Sequence, residues 1–266
     1  MALIHLSLYS DTLMMDTSVT VIFPQDCQRI PDNRKSLFKG PYKVLYLLHG
    51  LKQDETSWIR MSSIERYVSQ LPLVVVMPSV HRSFYTDQVR GFPYFSYVAD
   101  ELPRIMKEMF NISDRREDTF VAGLSMGGYG AFKLALSRPE QYGYAASLSG
   151  ALDLVGLRSQ QEDTSNDAEM ENTFGDLDRV EGSGHDLFAL AKDVGTLKPE
   201  LFMSCGTEDF VYEGNVHFHE TFSETLPITY HEESGDHSWQ YWDRNIKRVL
   251  FWLPIIPESN RNNLCC

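Results

Sequence analysis

One serine lies between glycines in residues 120–132, which read F-V-A-G-L-S-M-G-G-Y-G-A-F and place Ser125 in a G-x-S-x-G pattern. The apolar run before the motif predicts a strand and the residues after it predict a helix, the context in which such a serine acts as a nucleophile. Ser125 must then adopt a positive φ that projects its Oγ above the sheet. Gly123 and Gly127 must keep Cβ atoms away from the crowded place where the strand and the helix cross, and Gly128 lets the helix pack closely. A glycine-rich turn with a helix-capping serine is the alternative interpretation.

A serine hydroxyl is a weak nucleophile and needs a general base that an acid orients. On an α/β sheet with this serine turn, the order along the chain is serine, acid, histidine. Of the eight histidines in the sequence, seven precede the serine or fall in an acidic segment, at a helix start or in a strand: His5, His49, His81, His185, His217, His219 and His231. His237 follows the last predicted strand and precedes the C-terminal helix, so we expect it to be the base.

The acid should follow the last predicted strand but one, where L-F-M-S-C runs into G-T-E-D-F. Glu208, Asp209 and Glu213 are all available there. Asp209 fits best because Gly206 ends the strand and Asp209 lies a few residues into the loop. Its carboxylate would hold the Nδ1–H of the histidine and stabilise the imidazolium that forms during proton transfer.

Two backbone N–H groups are candidates for holding the oxyanion of an acyl-transfer intermediate. Met126 follows the serine directly and offers its N–H at the helix start. The second N–H should come from H-G-L-K-Q, the loop after the earlier strand V-L-Y-L-L, where we expect Leu51 to be the donor. Gly50 allows this loop to turn tightly, and His49 is placed to shape it.

Strands and helices alternate along the chain. The alternating patterns of residues 3–10 and 18–23 predict an antiparallel strand pair at a sheet edge. Apolar segments predict further strands at 42–48, 73–77, 119–122, 144–148, 201–204 and 228–231. Helical spacing predicts helices at 57–70, 94–110, 129–136, 218–226 and 240–253, with Pro103 kinking or starting a segment. This alternation is typical of an α/β fold, a mostly parallel central sheet with helices on both faces.

The sequence is consistent with one domain over residues 1–266, in which the alternation of strands and helices is interrupted once. Residues 151–195 are rich in Glu, Asp, Ser and Gly and poor in periodic apolar residues. They form either a solvated surface excursion or a cap or lid over an active site.

Composition limits the partners. The formal net charge is −13 and no stretch gathers lysine and arginine, so nucleic acid and anionic membrane surfaces are poor partners. The chain has neither a signal-peptide pattern nor a run of about 18 apolar residues. The spacing of the four cysteines, Cys27, Cys205, Cys265 and Cys266, suits neither a disulfide framework nor a zinc site. We expect an intracellular protein with reduced thiols.

Five segments together resemble one family: Y-L-L-H-G at 46–50, V-A-G-L-S-M-G-G-Y-G-A-F-K-L-A-L at 121–136, S-G-A-L at 149–152, G-T-E-D-F-V-Y-E-G-N at 206–215 and G-D-H-S-W-Q-Y-W at 235–242. The set resembles the tributyrin esterases of lactic acid bacteria and streptococci, which belong to the esterase D group of α/β hydrolases alongside S-formylglutathione hydrolases. The resemblance covers nearly the whole chain and is weakest in residues 151–195.

The resemblance implies an α/β-hydrolase fold with Ser125 as nucleophile, Asp209 as acid, His237 as base, and the N–H groups of Leu51 and Met126 as the oxyanion hole. It implies hydrolysis of short-chain acyl esters of small molecules in the cytoplasm, without metal or cofactor, and it allows a homo-oligomer. Four aromatic residues could wall an acyl pocket or belong to the core: Phe210, Trp239, Trp58 and Tyr85.

Three rival interpretations remain. An S-formylglutathione hydrolase would share the three catalytic residues, but the loop L-K-Q-D-E-T-S-W lacks the cysteine associated with that group. An acyltransferase of the mycolyltransferase type has a related fold but is a secreted protein. A non-catalytic scaffold on this fold should have lost at least one catalytic residue, and all three are present.

Overall fold

Eight strands form one sheet in the computed structural model, which describes residues 1–28, 30, 32–160 and 167–256. The strands are β1 (Ala2–Ser10), β2 (Met15–Phe23), β3 (Lys43–Leu48), β4 (Leu73–Pro78), β5 (Thr119–Leu124), β6 (Tyr144–Leu148), β7 (Glu200–Gly206) and β8 (Ile228–Glu233). Across the sheet their order is β1-β2-β4-β3-β5-β6-β7-β8.

The first two strands form an antiparallel hairpin in which Ala2 lies opposite Phe23 and Ser10 opposite Met15. β2 also pairs antiparallel with β4, and every later neighbour pair in the sheet is parallel. This confirms the predicted mostly parallel sheet with an antiparallel N-terminal pair. Because parallel strands end at the same edge, the loops after β3, β5, β7 and β8 meet there.

Ten α-helical segments surround the sheet within the described ranges. They are α1 (Ser57–Met61), α2 (Ile64–Val68), α3 (Tyr94–Ser96), α4 (Leu102–Met109), α5 (Met126–Ser137), α6 (Leu154–Gln160), α7 (Asp167–Phe174), α8 (Leu187–Asp193), α9 (Tyr212–Phe222) and α10 (Trp239–Trp252).

Both faces of the sheet are covered by apolar layers, as its continuous apolar strands predict. In β3, Val44 and Tyr46 face one layer, which also contains side chains of α4, α5 and α9. Leu45 and Leu47 face the other layer, which contains side chains of α1, α2 and α10. The period-two alternation of strand side chains therefore divides one strand between two cores.

The helix predicted over 57–70 is wrong, since two short helices occupy this range. Ser62 is extended between them, and its Oγ donates to the carbonyl of Trp58 at 2.5 Å. The next amide, Ser63 N–H, donates at 2.8 Å to Asp243 on α10. A contact between residues 180 positions apart thus replaces a helical hydrogen bond.

The other helices differ from their predictions mainly at their ends. The range 94–110 holds α3, a π-helical turn at Tyr97–Glu101 and α4, with Pro103 in the first turn of α4 as expected. The helix predicted at 218–226 begins earlier, at Tyr212, and ends at Phe222. Gly214 weakens the helical signal of its first turn, which explains why the sequence pattern missed the start of this helix.

Residues 151–195 contain three helices that the sequence pattern did not predict: α6, α7 and α8. The side chains of Phe174, Leu187 and Ala191 are buried and join the core layer next to α5. The described part of this range is therefore packed onto the sheet through a few apolar side chains. Part of its acidic run, residues 161–166, lies outside the described residues.

Of the four cysteines, Cys27 is half-buried and Cys205 buried, and both are free thiols. Cys265 and Cys266 lie outside the described residues. Within the described ranges, no helix combines the length and the apolar character that crossing a membrane requires.

Candidate active site

Ser125 occupies the turn between β5 and α5 in a conformation that non-glycine residues rarely adopt. Its φ is 54° and its ψ is −119°, which confirms the predicted positive φ. Its side chain makes no capping hydrogen bond to α5. The structure therefore disagrees with the alternative of a helix-capping serine.

The two glycines that flank the serine make this turn possible. A Cβ on Gly123 would collide with the carbonyl group of Gly127, and a Cβ on Gly127 would come within 2.6 Å of the carbonyl oxygen of Leu48. Real Cβ atoms do not approach backbone this closely, so β3, β5 and α5 can cross here only if both positions are glycine.

The structure brings Ser125, His237 and Asp209 together in one hydrogen-bond chain. His237 Nε2 lies 2.9 Å from Ser125 Oγ, and His237 Nδ1 lies 2.9 Å from both carboxylate oxygens of Asp209. A carboxylate can only accept, so Nδ1 carries the proton and Nε2 is free to accept from the serine hydroxyl. The Asp209 side chain is fully buried and that of His237 is 21% exposed.

The loops that carry Asp209 and His237 are joined by backbone and side-chain hydrogen bonds. The N–H of Glu208 donates to the carbonyl of Gly235 at 3.1 Å. The Glu208 carboxylate accepts in return from Gly235 N–H at 2.5 Å and from Ser234 Oγ at 3.2 Å. Glu208, which the sequence offered as an alternative acid, thus holds the loop that carries His237. The hydrogen bond from Gly235 N–H lowers the pKa of the Glu208 carboxyl group.

Aromatic rings surround the imidazole of His237. The ring of Phe210 lies 4.5 Å from it and the ring of Trp242 lies 4.9 Å away, approximately perpendicular to it. Phe210 is 64% exposed and lines the cavity beside Ser125, whereas Trp58 and Tyr85 are buried core residues. Trp239 packs edge-on against Trp58 at 5.2 Å. Of the four aromatic residues that the sequence offered for an acyl pocket, Phe210 is the one that lines this cavity.

A cavity of about 670 Å³ opens beside Ser125. Its buried lining is mostly apolar and includes Phe84, Met126, Ala151, Phe174 and Val180. Exposed charged side chains, among them Lys52, Arg158 and Glu181, lie on its outer part. Most of the lining residues lie in the ranges 151–159 and 167–181, so the described part of the excursion forms one side of the site.

Leu51 and Met126 line the same cavity as Ser125. Met126 is the first residue of α5, where a helix leaves the N–H without an acceptor of its own. Leu51 follows β3 in the loop that begins with His49 and Gly50. Both residues are therefore at the site where the oxyanion hole was predicted.

The other seven histidines have different neighbours: Thr20 for His5, Gly50 and Val80 for His49, Tyr94 for His81, Lys133 for His185, Asp153 for His217, Tyr230 for His219 and Glu233 for His231. Among the described residues, no three His, Cys, Asp or Glu side chains are arranged to hold a metal ion.

Similarity to known proteins extends over nearly the whole chain. The family model named Esterase, with the description "Putative esterase", matches residues 15–253. An acetyl esterase of Caldicellulosiruptor saccharolyticus is 31% identical, in an alignment that covers 97% of this chain and 100% of that protein.

Two solved structures from Staphylococcus aureus are similar in both sequence and fold. The substrate-bound fluorophosphonate-binding serine hydrolase FphF is 36% identical, with a TM-score of 0.84 over 95% of this chain and 98% of that one. The S-formylglutathione hydrolase FrmB, as apoenzyme, is 35% identical, with a TM-score of 0.82 and the same two coverages, 95% and 98%. These similarities confirm the resemblance that the five sequence segments indicate. The chain belongs to this esterase family of carboxylic ester hydrolases, with an α/β-hydrolase fold.

Proposed function

We propose that this protein is a serine carboxylesterase that hydrolyses short-chain acyl esters through an acyl-enzyme on Ser125. The observation that carries the proposal is the continuous hydrogen-bond chain from Asp209 through His237 to Ser125 Oγ, with links of 2.9 Å, beside an apolar cavity. This is the arrangement in which a serine hydroxyl becomes a nucleophile and an imidazole its base.

The reaction proceeds in two acyl transfers. Ser125 Oγ attacks the ester carbonyl while His237 Nε2 takes its proton, and Asp209 stabilises the resulting imidazolium. The tetrahedral intermediate collapses as the imidazolium protonates the leaving alkoxide, which departs as the alcohol. Water then attacks the acyl-enzyme with the same help from His237, so that the acid leaves and Ser125 regains its proton.

The developing oxyanion is held by the backbone N–H groups of Leu51 and Met126. Their place in the lining of the cavity supports this assignment, as does the position of Met126 at the N-terminus of α5. One donor of this kind contributes about 3 kcal/mol to lowering the barrier.

The described residues of the range 151–195, above all those of α7, act as a fixed wall of the acyl site. Two backbone hydrogen bonds support this role, from Val89 N–H to Thr173 O at 3.2 Å and from Arg90 N–H to Asn172 O at 2.8 Å. A bidentate ion pair between Arg82 and Glu169 joins the same loop to α7. A wall held in this way limits the length of acyl chain that the cavity accepts.

Hydrolysis of S-formylglutathione is the second candidate function. It is favoured by the 35% identity to a structure with that name. The loop at residues 51–58 has no cysteine, and the described thiols are Cys27 and the buried Cys205. We therefore place oxygen esters first.

The deciding experiment is a panel of p-nitrophenyl esters from acetyl to octanoyl, together with acetylated sugars, feruloyl esters and S-formylglutathione. We expect short-chain oxygen esters to give the highest kcat/KM, and Ser125→Ala to lower kcat at least about 10⁴-fold. A fluorophosphonate probe should label the wild type and leave Ser125→Ala unlabelled. Wild-type activity in the mutant would contradict the proposal, and a preference for the thioester would favour the second candidate.

A further inference from the structure

His49 is a buried histidine at the end of β3, 1% exposed, beside the predicted oxyanion donor Leu51. Its ring makes two hydrogen bonds with the backbone. Nδ1 lies 2.8 Å from the carbonyl oxygen of Gly50, and Nε2 lies 3.1 Å from the N–H of Val80. Its own carbonyl oxygen accepts from the hydroxyl of Tyr85 at 3.0 Å. The residue therefore joins the loop after β3 to the loop after β4.

The two partners decide where the proton of the imidazole lies. The carbonyl of Gly50 can only accept, so Nδ1 must carry the hydrogen, and the N–H of Val80 can only donate, so Nε2 must be bare. A doubly protonated ring would place an N–H against the amide of Val80. Burial favours the neutral form as well, and it lowers the pKa of His49 to about 4.

The carbonyl that His49 holds belongs to the same peptide unit as the N–H of Leu51. A peptide unit is planar and trans, so its C=O and N–H point in opposite directions and turn together. The Gly50 oxygen also accepts from the N–H of Gln53 at 3.2 Å, while Gly50 N–H donates to Gln53 Oε1 at 3.0 Å. With its oxygen held toward the buried imidazole, this peptide directs Leu51 N–H toward the opposite side.

We propose that His49 is a positioning residue for the oxyanion hole: as its Nδ1–H tautomer it fixes the Gly50–Leu51 peptide with the Leu51 N–H directed into the cavity at Ser125. This inference rests on the proposed serine mechanism. It adds that the oxyanion donor is aligned by a side chain that touches neither the substrate nor the reacting atoms.

Two substitutions separate the two hydrogen bonds of the ring. In His49→Asn the amide nitrogen occupies the place of Nδ1 and can still donate to Gly50, whereas the bond to Val80 is lost. In His49→Gln the longer side chain reaches the place of Nε2 and can accept from Val80, whereas the bond to Gly50 is lost.

We expect His49→Gln to lower kcat about 100-fold with little change in KM, the loss typical of a misplaced oxyanion donor. His49→Asn should keep kcat within about tenfold of the wild type. The affinity for a trifluoromethyl ketone analogue of the tetrahedral intermediate should fall in proportion to kcat in the Gln variant. A purely structural role would lower the melting temperature of both variants without changing the ratio of analogue affinity to KM.

The outcomes distinguish this inference from the proposed function. If Ser125→Ala keeps its activity, the serine mechanism itself fails. If Ser125→Ala is inactive and the Gln and Asn variants lose kcat equally, or neither loses it, the role of His49 fails alone. Where a variant does not fold, ¹⁵N–¹H correlation of wild-type histidine rings decides, since a proton on Nε2 of His49 instead of Nδ1 would overturn the proposal.

Discussion

Ser125 is held in its unusual conformation by backbone hydrogen bonds on both sides. Its N–H donates to Leu148 at 3.0 Å, and its carbonyl accepts from Gly128 at 3.0 Å, Tyr129 at 3.1 Å and Ala151 at 3.3 Å. A non-glycine residue with such dihedral angles costs about 1–3 kcal/mol, which persists only where the surroundings impose it. The strain places Oγ toward His237 before any substrate arrives.

The role of Asp209 can be tested by comparison with Asp236, the residue directly before His237. Asp209→Asn keeps the size of the side chain but can present an amide N–H to Nδ1, which favours the wrong imidazole tautomer. We expect kcat to fall about 10⁴-fold. Asp236→Asn, next to His237 in sequence, should keep wild-type kcat. Equal losses in the two variants, measured with p-nitrophenyl butyrate, would contradict the assignment of the acid.

The helix α7 gives the site its inner wall. Phe174, at its end, packs against Phe84 with ring centroids 5.3 Å apart and against His185 at 5.3 Å, and it lines the cavity with Ser125. On α8 of the same excursion, Phe188 packs against Phe218 and Phe222 and is not part of this lining. Phe174 and Phe188 therefore both pack against other aromatic rings, but only Phe174 of the two lines the cavity.

We expect Phe174→Ala to extend the accepted acyl chain. Each methylene that enters the space left by the ring is worth about 0.8 kcal/mol, so kcat/KM for octanoyl relative to butyryl esters should rise at least about tenfold. Phe188→Ala is the matched control, with loss of stability and an unchanged chain-length profile. An unchanged profile in both variants would show that Phe174 does not limit the acyl chain.

The core of the molecule includes one buried cation on α5. Lys133 is 4% exposed, and its Nζ donates to Thr86 Oγ1 and lies 3.2 Å from His185 Nδ1. Burial lowers the pKa of Lys133 to about 7, with Asp87 opposing the shift, and burial followed by Lys133 lowers the pKa of His185 to about 4. Lys133 therefore connects the serine helix to the loop after β4 and to the excursion, at a cost in stability when it is charged.

This cost predicts a dependence of stability on pH. Between the folded pKa of Lys133, about 7, and the unfolded value of about 10.4, the unfolded chain binds more protons, so this residue makes stability rise with pH. Below both pKa values Lys133 is charged in the folded and the unfolded state, so the destabilisation caused by its burial is largest there and no longer changes with pH. In urea unfolding, we therefore expect Lys133→Met to raise the free energy of unfolding above that of the wild type by a larger amount at low pH than at high pH. The difference between the increase at about pH 6.5 and the increase at about pH 9.5 should reach about 3 kcal/mol. The exposed Lys192→Met should show no such difference, and a pH-independent effect of Lys133→Met would contradict the prediction.

Several features of the fold and the site could be predicted because they follow from local constraints. The parallel sheet follows from continuous apolar strands that alternate with helical segments. The positive φ of Ser125 and the need for Gly123 and Gly127 follow from sterics within a few residues. The choice of His237 and Asp209 follows from their order after the last strands, where the ends of parallel strands meet.

Other features depend on residues that are distant in sequence, and the tertiary structure alone decided them. The break after α1 depends on Asp243, and the helices of the excursion are stabilised by burying a few side chains such as Phe174 rather than by a periodic apolar face. The orientation of the peptide at Leu51 depends on the imidazole of His49 and, through it, on Val80. A single sequence specifies which groups can donate, accept or be buried, but hydrogen bonds and burial require a partner whose place in space depends on the whole chain.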